Sequence, residues 1–272
     1  MTAVAPAAAG QLPRPAGGRY RFPQAARMEW IKLRSLRSTW WTLALTAAGA
    51  VGIGVAVGIN TKTGGEDVTN NALAGVAVGL LLTGALGVLT MTSEYSSGMI
   101  RATLAAVPRR WLVLAAKAGV FAAVTLALGE AASFISFFAG GAALRHGIPA
   151  PALGEPGVLR AIILSGAGYC LIGLFGVGLG AIIRHTGAAI GVLVGGVYVI
   201  SQAVAAAYHP LLAYLPVSIV ANSLSTTRPM TCGGGDSICP HFLSPWAGLG
   251  MLSLYASVLL VAGGLVLSRR DA

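Results

Sequence analysis

Few side chains in this sequence could perform acid, base or nucleophilic chemistry. Only 8 of the 272 residues are Asp or Glu, and the 4 histidines, His146, His185, His209 and His241, are scattered beside loops. There is no Gly-Lys pair, so a phosphate-binding Walker loop is excluded, and neither His-Glu-x-x-His nor Gly-x-Ser-x-Gly occurs. The sequence therefore predicts no catalytic residue and no metal site in this chain.

Glu130 is an ionisable residue well inside a long apolar stretch. A charge at that depth of a bilayer costs about 2.5 to 3.5 kcal/mol on insertion scales, so the side chain must face protein or water. Two interpretations stay open. Glu130 is either part of a substrate path or proton relay, or a neutral carboxyl group hydrogen-bonded to a neighbouring helix, with Ser133 and Ser136 close by.

Composition sets the class of protein. Hydrophobic residues make up 56% of the chain and charged residues 10%, against about 25% charged in a typical soluble domain. Apolar stretches near the 20 residues that cross a bilayer occupy residues 39–59, 72–92, 111–144, 158–183, 187–207 and 246–267. We expect an all-α polytopic membrane protein with six transmembrane helices.

The third stretch is too long for one upright span. Either its first turns, through Lys117, project beyond the membrane, or Gly140 and Gly141 break it near the far side. Between the second and third stretches lies a polar, basic segment, residues 92–110, which must sit at a membrane surface because lipid cannot satisfy its polar groups.

Basic residues indicate the orientation. Of the 18 Lys and Arg residues, fourteen fall in the N-terminal segment, in the region between spans two and three, in the turn after span four, and at the C-terminus. The other four are Lys62, Arg145, Arg160 and Arg228. The positive-inside rule then predicts a plasma-membrane protein with both termini in the cytoplasm. The basic residues that raise the pI to about 10.2 are explained by this orientation. We therefore expect no nucleic-acid partner.

The N-terminal region divides in two before the transmembrane domain of residues 39–272. Residues 1–21 are rich in Ala, Pro and Gly and predict a disordered cytoplasmic tail. Residues 22–38 mix basic and apolar residues, although Lys32 interrupts the apolar side, and predict an amphipathic interfacial helix with Trp30 at headgroup level. The alternative is a positive flank that only fixes orientation.

The connection between spans five and six is long and partly apolar. Its first half, with Pro216 in the middle, is too short to span and predicts a broken, re-entrant helix at the outer side. Cys232 and Cys239 follow, and an oxidising outer side favours a disulfide between them. Two free thiols or a metal pair with His241 are the alternatives, although six intervening residues are not a zinc spacing.

Glycines recur at four-residue spacing in three predicted spans. The sets are Gly75 and Gly79, Gly176 and Gly180, and Gly187, Gly191 and Gly195. Such spacing lets helices approach closely where lipid gives no hydrophobic drive for association. It favours a tightly packed bundle or a dimer seam.

The segment Ser93-Glu94-Tyr95-Ser96-Ser97-Gly98-Met99-Ile100-Arg101, followed by Thr103-Leu104 and Pro108-Arg109-Arg110, carries a family resemblance. It resembles the cytoplasmic segment E-x-x-x-G-T-I/L-R-x-T-L with a basic end in permease subunits of ATP-binding-cassette (ABC) type 2 exporters, the type V architecture, above all the Ala- and Gly-rich actinobacterial ones. Met99 departs from the usual polar residue. The layout covers nearly the whole chain, but the motif covers this segment alone.

The resemblance implies a transport subunit that is not itself an enzyme and carries no cofactor. A separate ABC ATPase subunit would bind ATP and Mg, usually as two ATPases with two permeases, so a second permease copy, in a homodimer or heterodimer, is expected beside membrane lipid. The family's coupling helix would follow span two and dock on the ATPase. The residues that would line or shape this contact are Glu94, Gly98, Arg101, Thr103, Pro108, Arg109 and Arg110.

Other classes remain open at this point. The segment can also be interpreted as a connector with headgroup anchors, in a stand-alone secondary transporter or channel, or in a non-transporting membrane sensor or enzyme. Secondary transporters commonly show two related halves. Spans one to three bear no evident likeness to spans four to six.

Overall fold

A computed structural model describes residues 21–62, 67–107, 109–145, 147–226 and 242–269. These residues form helices and short connections, without a strand among them. The α-helices are α1 (Phe22–Ser35), α2 (Arg37–Asn60), α3 (Val68–Ala72), α4 (Val76–Ser96), α5 (Met99–Ala106), α6 (Arg110–Ala142), α7 (Val158–Ile183), α8 (Thr186–Val192), α9 (Ser201–Ala207), α10 (Pro216–Leu224) and α11 (Pro245–Arg269). A π-helical segment, Leu193–Ile200, joins α8 to α9, and a 3₁₀ helix, His209–Tyr214, precedes α10.

Five of the described helices, α2, α4, α6, α7 and α11, are long and apolar enough to cross a membrane. The predicted class, an all-α multi-pass membrane protein, agrees with this. Helix α7 lies at the centre, with 72% of its most apolar window buried inside the protein, whereas only 22% of that of α11 is buried. Helices α4, α6 and α11 pack directly on α7, whereas α2 packs on α4 and α6. Helices α2 and α11 present most of their surface outward.

The fifth predicted span, residues 187–207, is helical but divided into α8, the π-helical segment and α9. The continuous apolar part, Thr186–Ile200, is shorter than the five long helices. In a π-helix the hydrogen bonds run from i to i+5, which widens the turn and interrupts a regular α-helix. The exact six-span topology stays a prediction.

Helix α6 is continuous over 33 residues, about 50 Å, well beyond the roughly 30 Å hydrocarbon core of a bilayer. The predicted alternative of a break at Gly140 and Gly141 is therefore wrong. A Cβ on Gly140 would lie 2.9 Å from the Cβ of Ala72, so this glycine provides a close helix contact instead of a hinge. The first turns of α6, through Lys117, pack beside α1.

Two ends of the bundle can be distinguished by their charges. The basic end holds α1, α5, the start of α6 and the last turns of α7 and α11. Here two arginines bond to the last turn of α11: Arg110 Nη1 donates to Leu267 O (2.8 Å), and Arg184 Nη2 donates to Val266 O (3.1 Å). At the opposite end Arg145 Nε donates to Ile59 O (2.9 Å) and Arg160 Nη2 to Ser225 O (2.7 Å). Helix ends leave carbonyl groups without partners, and these arginines satisfy several of them.

Glycine contacts hold α4 against α7 in the apolar middle. A Cβ on Gly87 would collide with the carbonyl oxygen of Gly173, and one on Gly176 would collide with that of Gly84. The predicted pair Gly75 and Gly79 packs as well, Gly75 against Ala50 O of α2 and Gly79 against the ring of Tyr169 of α7. Absence of side chains thus lets these backbones touch, as the spacing predicted.

The third glycine set behaves differently. A Cβ on Gly191 or Gly195 would meet no atom within 4 Å, and one on Gly187 would touch only His185 of its own turn. This face of the α8 region contacts no other described part of the chain.

The segment before α11 consists of the 3₁₀ helix followed by α10. The 3₁₀ helix ends at Tyr214, and Pro216 opens α10, where its missing N–H removes no helical bond. Helix α10 packs on α7 and α11, and Asn222 Nδ2 donates to Leu243 O (3.0 Å). Its depth in a bilayer stays a prediction. The predicted disulfide of Cys232 and Cys239, together with His241, Arg228 and the tail of residues 1–20, lies outside the described residues.

Candidate functional site

Four charged side chains from three helices form a closed cluster at the basic end, which we call the ionic ring: Glu29 and Lys32 of α1, Glu94 of α4, and Lys117 of α6. Lys117 Nζ lies 2.6 Å from Glu29 Oε2 and 2.8 Å from Glu94 Oε1. Lys32 Nζ lies 2.9 Å from both Glu94 Oε1 and Glu29 Oε1. Each charge therefore contacts two of opposite sign.

Three of the four ring residues lie on the buried stripe of their helix. Glu29 falls between Ala25 and Leu33, four residues to either side, and both are buried. Glu94 follows buried Met91 by three residues. Lys117 precedes buried Phe121 by four residues. Residues three and four apart share one helix face, so the packing of α1, α4 and α6 brings the four charges together.

Little water reaches the ring. The exposed fractions of the side chains are 4% for Glu29, 2% for Glu94 and 7% for Lys117, and Lys32 is exposed to 21%. Two carboxylates face two ammonium groups, so the formal charges cancel. Removing one partner of such a buried pair leaves a charge uncompensated and commonly costs about 3 to 5 kcal/mol.

Lys32 extends the ring to α5. Its Nζ donates to Thr103 Oγ1 (3.0 Å), in addition to Glu29 and Glu94, so all three of its N–H donors are used. Burial alone would lower the pKa of Lys32, but the hydrogen bonds that Lys32 donates to Glu94 and Glu29, together with the negative charges of these carboxylates, outweigh burial and leave the pKa raised above its ordinary value. Lys32 is therefore protonated at neutral pH, and the ring joins four helices.

Helix α5 is short and has two different faces. Gly98 precedes it with φ of 70°, a left-handed conformation that glycine adopts at little cost. Ile100 and Thr103 are buried toward the bundle, whereas Arg101 is exposed. Val107, in extended conformation, ends the helix one residue before Pro108, as expected for a residue that precedes proline. The helix thus presents a cationic outer face while its inner face is bonded to the ring.

The seven predicted contact residues occupy three kinds of position. Gly98, Arg101 and Arg109 are exposed, Arg110 is half-buried and bonded to Leu267 O, and Glu94 and Thr103 are buried in or against the ring. Pro108 lies outside the described residues. Glu94 has too little exposed surface to touch a partner protein directly. Its expected part in shaping the contact can act only through the ring.

Three ring residues escaped sequence reasoning. Lys32 was interpreted as an interruption of an apolar face, Lys117 as one more positive charge, and Glu29 received no role. A signal was present, because Glu29 stands three residues before Lys32 in a segment without another acid, and Lys117 lies on an apolar stripe. The partners of these charges on other helices, however, are 23, 62 or 88 residues away in the chain.

A second set of contacts fixes the end of α4 to the turn after α7. The Arg184 guanidinium lies over the Tyr95 ring, 5.1 Å from its centroid, a cation–π arrangement. Thr186 Oγ1 donates to Thr92 Oγ1 (2.9 Å). The residues that lead into α5 are therefore held from two sides.

Glu130 lies apart from the ring. It is half-buried, and its carboxyl group packs directly over Gly166 of α7, where a side chain would collide with it. Neither nearby serine bonds to it: Ser165 Oγ donates to Ser133 Oγ (2.8 Å), and Ser136 Oγ donates to Ala72 O (2.7 Å). Ser133 and Ser136, noted above as close to Glu130, therefore bond elsewhere, and the role of Glu130 stays a prediction.

Among the described residues no group of three or more His, Cys, Asp or Glu side chains is placed to hold a metal ion. A scan of the sequence against protein-family models found no match, and a search of curated proteins found none either.

Proposed function

We propose that this chain is the membrane-spanning permease subunit of an ABC-type exporter in the plasma membrane. ATP and Mg would be bound by a separate ATPase subunit, which supplies the energy for export. The observation that carries the proposal is α5, a short helix with Arg101 exposed on one face and Thr103 bonded to the ionic ring on the other. A solvated connector has no need of that second attachment.

The ring gives a physical route for motion. A partner that displaces α5 would pull on Lys32 through Thr103, and Lys32 is paired to Glu94 of α4. Lys117 of α6 shares that carboxylate, so α1, α4 and α6 are joined through a few contacts shorter than 3 Å. Because separating buried charges is costly, the ring favours movement of these helices as a unit.

The topology proposed with this function has six spans, with α8, the π-helical segment and α9 taken together as the fifth. Both termini would be cytoplasmic. Exposed Arg101 and Arg109 would then face the cytoplasm, where an acidic groove on an ATPase could receive them. This orientation rests on the distribution of Lys and Arg along the chain.

A second permease copy is part of the proposal. The glycines of the sets that begin at Gly75 and Gly176 are occupied by contacts within the chain, whereas Gly191 and Gly195 have open space in front of them. A four-residue glycine spacing on an open apolar helix suits close packing against another helix in the membrane. The face of Gly191 and Gly195 is our proposed seam between two copies.

The test is association with an ATPase. Affinity purification of the full chain from its native membrane should bring down an ABC ATPase, identified by mass spectrometry. Arg101→Glu should reduce that association, because it places a like charge against an acidic groove, and close interfacial charge pairs couple by about 1.5 kcal/mol or more. Lys62→Glu, an equal charge change at the opposite end, should leave it intact. If no ATPase is recovered, or if the two variants behave alike, the assignment fails.

A further inference from the structure

An open groove lies between α1 and α6, next to the ionic ring. Its volume is about 370 Å³, within the range of about 300 to 1,000 Å³ typical of ligand sites. It is lined by Ala26, Arg27 and Trp30 of α1 and by Val120, Ala123 and Val124 of α6. Val120 also lines a smaller cavity of about 50 Å³ beside Glu94 and Lys117, so the groove and the ring are neighbours.

Small side chains create the groove. Ala26 and Ala123 line it from the two facing helices, and neither fills the space between them. Beside the groove the helices do meet, because a Cβ on Gly119 would lie 3.4 Å from Cζ of Phe22. The Trp30 ring, 41% exposed, forms part of the wall.

The position along α6 suits the boundary between headgroups and acyl chains. Val120, Ala123 and Val124 follow Lys117 by one to two helical turns, on the side of the apolar middle of the helix. Tryptophan is enriched at the headgroup level of membranes, and Trp30 lies at this groove. The floor is therefore apolar where acyl chains begin.

The rim of the groove carries a positive charge. Arg27 is exposed and forms no ion pair with another described residue. Glu29, the acid of α1, is already paired with Lys32 and Lys117 in the ring. A guanidinium group binds phosphate oxygens in a bidentate manner. An anionic lipid is favoured over a zwitterionic one, because its headgroup has no cationic group to offset the phosphate charge.

We propose that this groove binds one anionic phospholipid, with its phosphate against Arg27 and an acyl chain along Val120 and Val124. The lipid would bridge α1 and α6 and so support the contact on which the ionic ring depends. This inference does not rest on the proposed transport function, because it requires only a bilayer and the described α1–α6 packing.

The experiment is native mass spectrometry of the full purified chain, titrated with phosphatidylglycerol or with phosphatidylcholine of identical acyl chains. We expect one phosphatidylglycerol to be retained in preference to phosphatidylcholine. Arg27→Gln should weaken that retention about fivefold, the effect of one basic residue near an anionic lipid surface. Arg34→Gln is the matched control, since Arg34 is exposed on the same helix but does not line the groove.

A second pair of variants tests the groove itself. Ala123→Phe should fill it and abolish retention, whereas Ala127→Phe, at an exposed position on α6 outside the groove, should not. If Ala123→Phe does not fold, the arginine pair decides alone. The proposal would be overturned if the two lipids were retained equally, or if Arg27→Gln and Arg34→Gln had equal effects. It would also be overturned if Ala123→Phe changed the oligomeric state and left lipid retention unchanged.

Discussion

Two regions of this bundle hold helices together by opposite means. At the basic end, α1, α4 and α6 meet through the four charges of the ionic ring. In the middle, α4 and α7 meet through glycines that carry no side chain at all, as where Gly176 lies against Gly84 O. The ring depends on a matched set of charges, and the glycine contact depends on shape. The first should therefore be sensitive to any single change of charge, and the second to any added atom.

The largest effect is expected from Lys117→Met, which keeps most of the length of the side chain but removes its charge. It leaves Glu29 and Glu94 with only Lys32 between them in a region nearly closed to water. We expect a loss of about 3 to 5 kcal/mol in the free energy of unfolding, as measured by denaturant or thermal unfolding in detergent.

The compensating variant sharpens this prediction. Adding Glu29→Gln to Lys117→Met leaves one carboxylate, Glu94, with one ammonium group, Lys32, and should recover a substantial part of the loss. Arg109→Met, at an exposed position, is the control and should change stability little. A single Lys117→Met variant as stable as the unmodified protein would show that the ring is not the buried, charge-matched cluster described above.

The next effect concerns the glycine contact. Gly176→Ala places a Cβ against the backbone oxygen of Gly84, which cannot move without shifting α4. Overpacking of this kind costs about 1 to 3 kcal/mol. Thermal unfolding should show the loss, whereas Gly52→Ala of α2, where a Cβ meets nothing within 4 Å, should show none. Equal behaviour of the two variants would mean that α4 and α7 do not approach this closely.

A smaller effect is expected where the ring meets α5. Thr103→Val removes the oxygen that accepts from Lys32 and leaves a similar shape, at a cost of about 1 kcal/mol in unfolding free energy. Thr103→Ser keeps the hydroxyl and should retain most of the unfolding free energy that Thr103→Val loses. Under the proposed function, Thr103→Val should also lower ATP turnover coupled to transport while leaving ATPase association intact. Unchanged coupled turnover would remove α5 and the ring from the route of motion.

The smallest effect is expected at the open glycine face. Gly191→Ala adds a methyl group to free space and replaces glycine with a better helix former, so the monomer should gain up to about 1 kcal/mol. Unfolding at protein concentrations low enough to keep the chain monomeric is the appropriate measurement. A clear loss of stability in the monomer would show that Gly191 packs within the chain after all.

Sequence reasoning succeeded where one physical requirement dominates. Long apolar stretches predicted helices, because a chain in lipid must satisfy its backbone polar groups internally. The family resemblance implied a short helix after span two, and α5 runs from Met99 to Ala106 at that place. Five of the six predicted spans coincide with long apolar helices. The remaining one, residues 187–207, is divided by a π-helical segment that hydrophobicity does not reveal.

The sequence itself thus determined the class of protein and the limits of its helices, through composition, stretch length and the special backbone properties of glycine and proline. Tertiary structure alone decided which charges pair and which glycines touch. Lys117 and Glu29 are 88 residues apart, and nothing local selects one as the partner of the other. Gly176 and Gly191 each lie four residues from another glycine. Gly176 nevertheless packs against α4, whereas Gly191 faces open space. The reason is geometric: a helical pattern gives the face of a residue, but only packing decides what lies opposite that face.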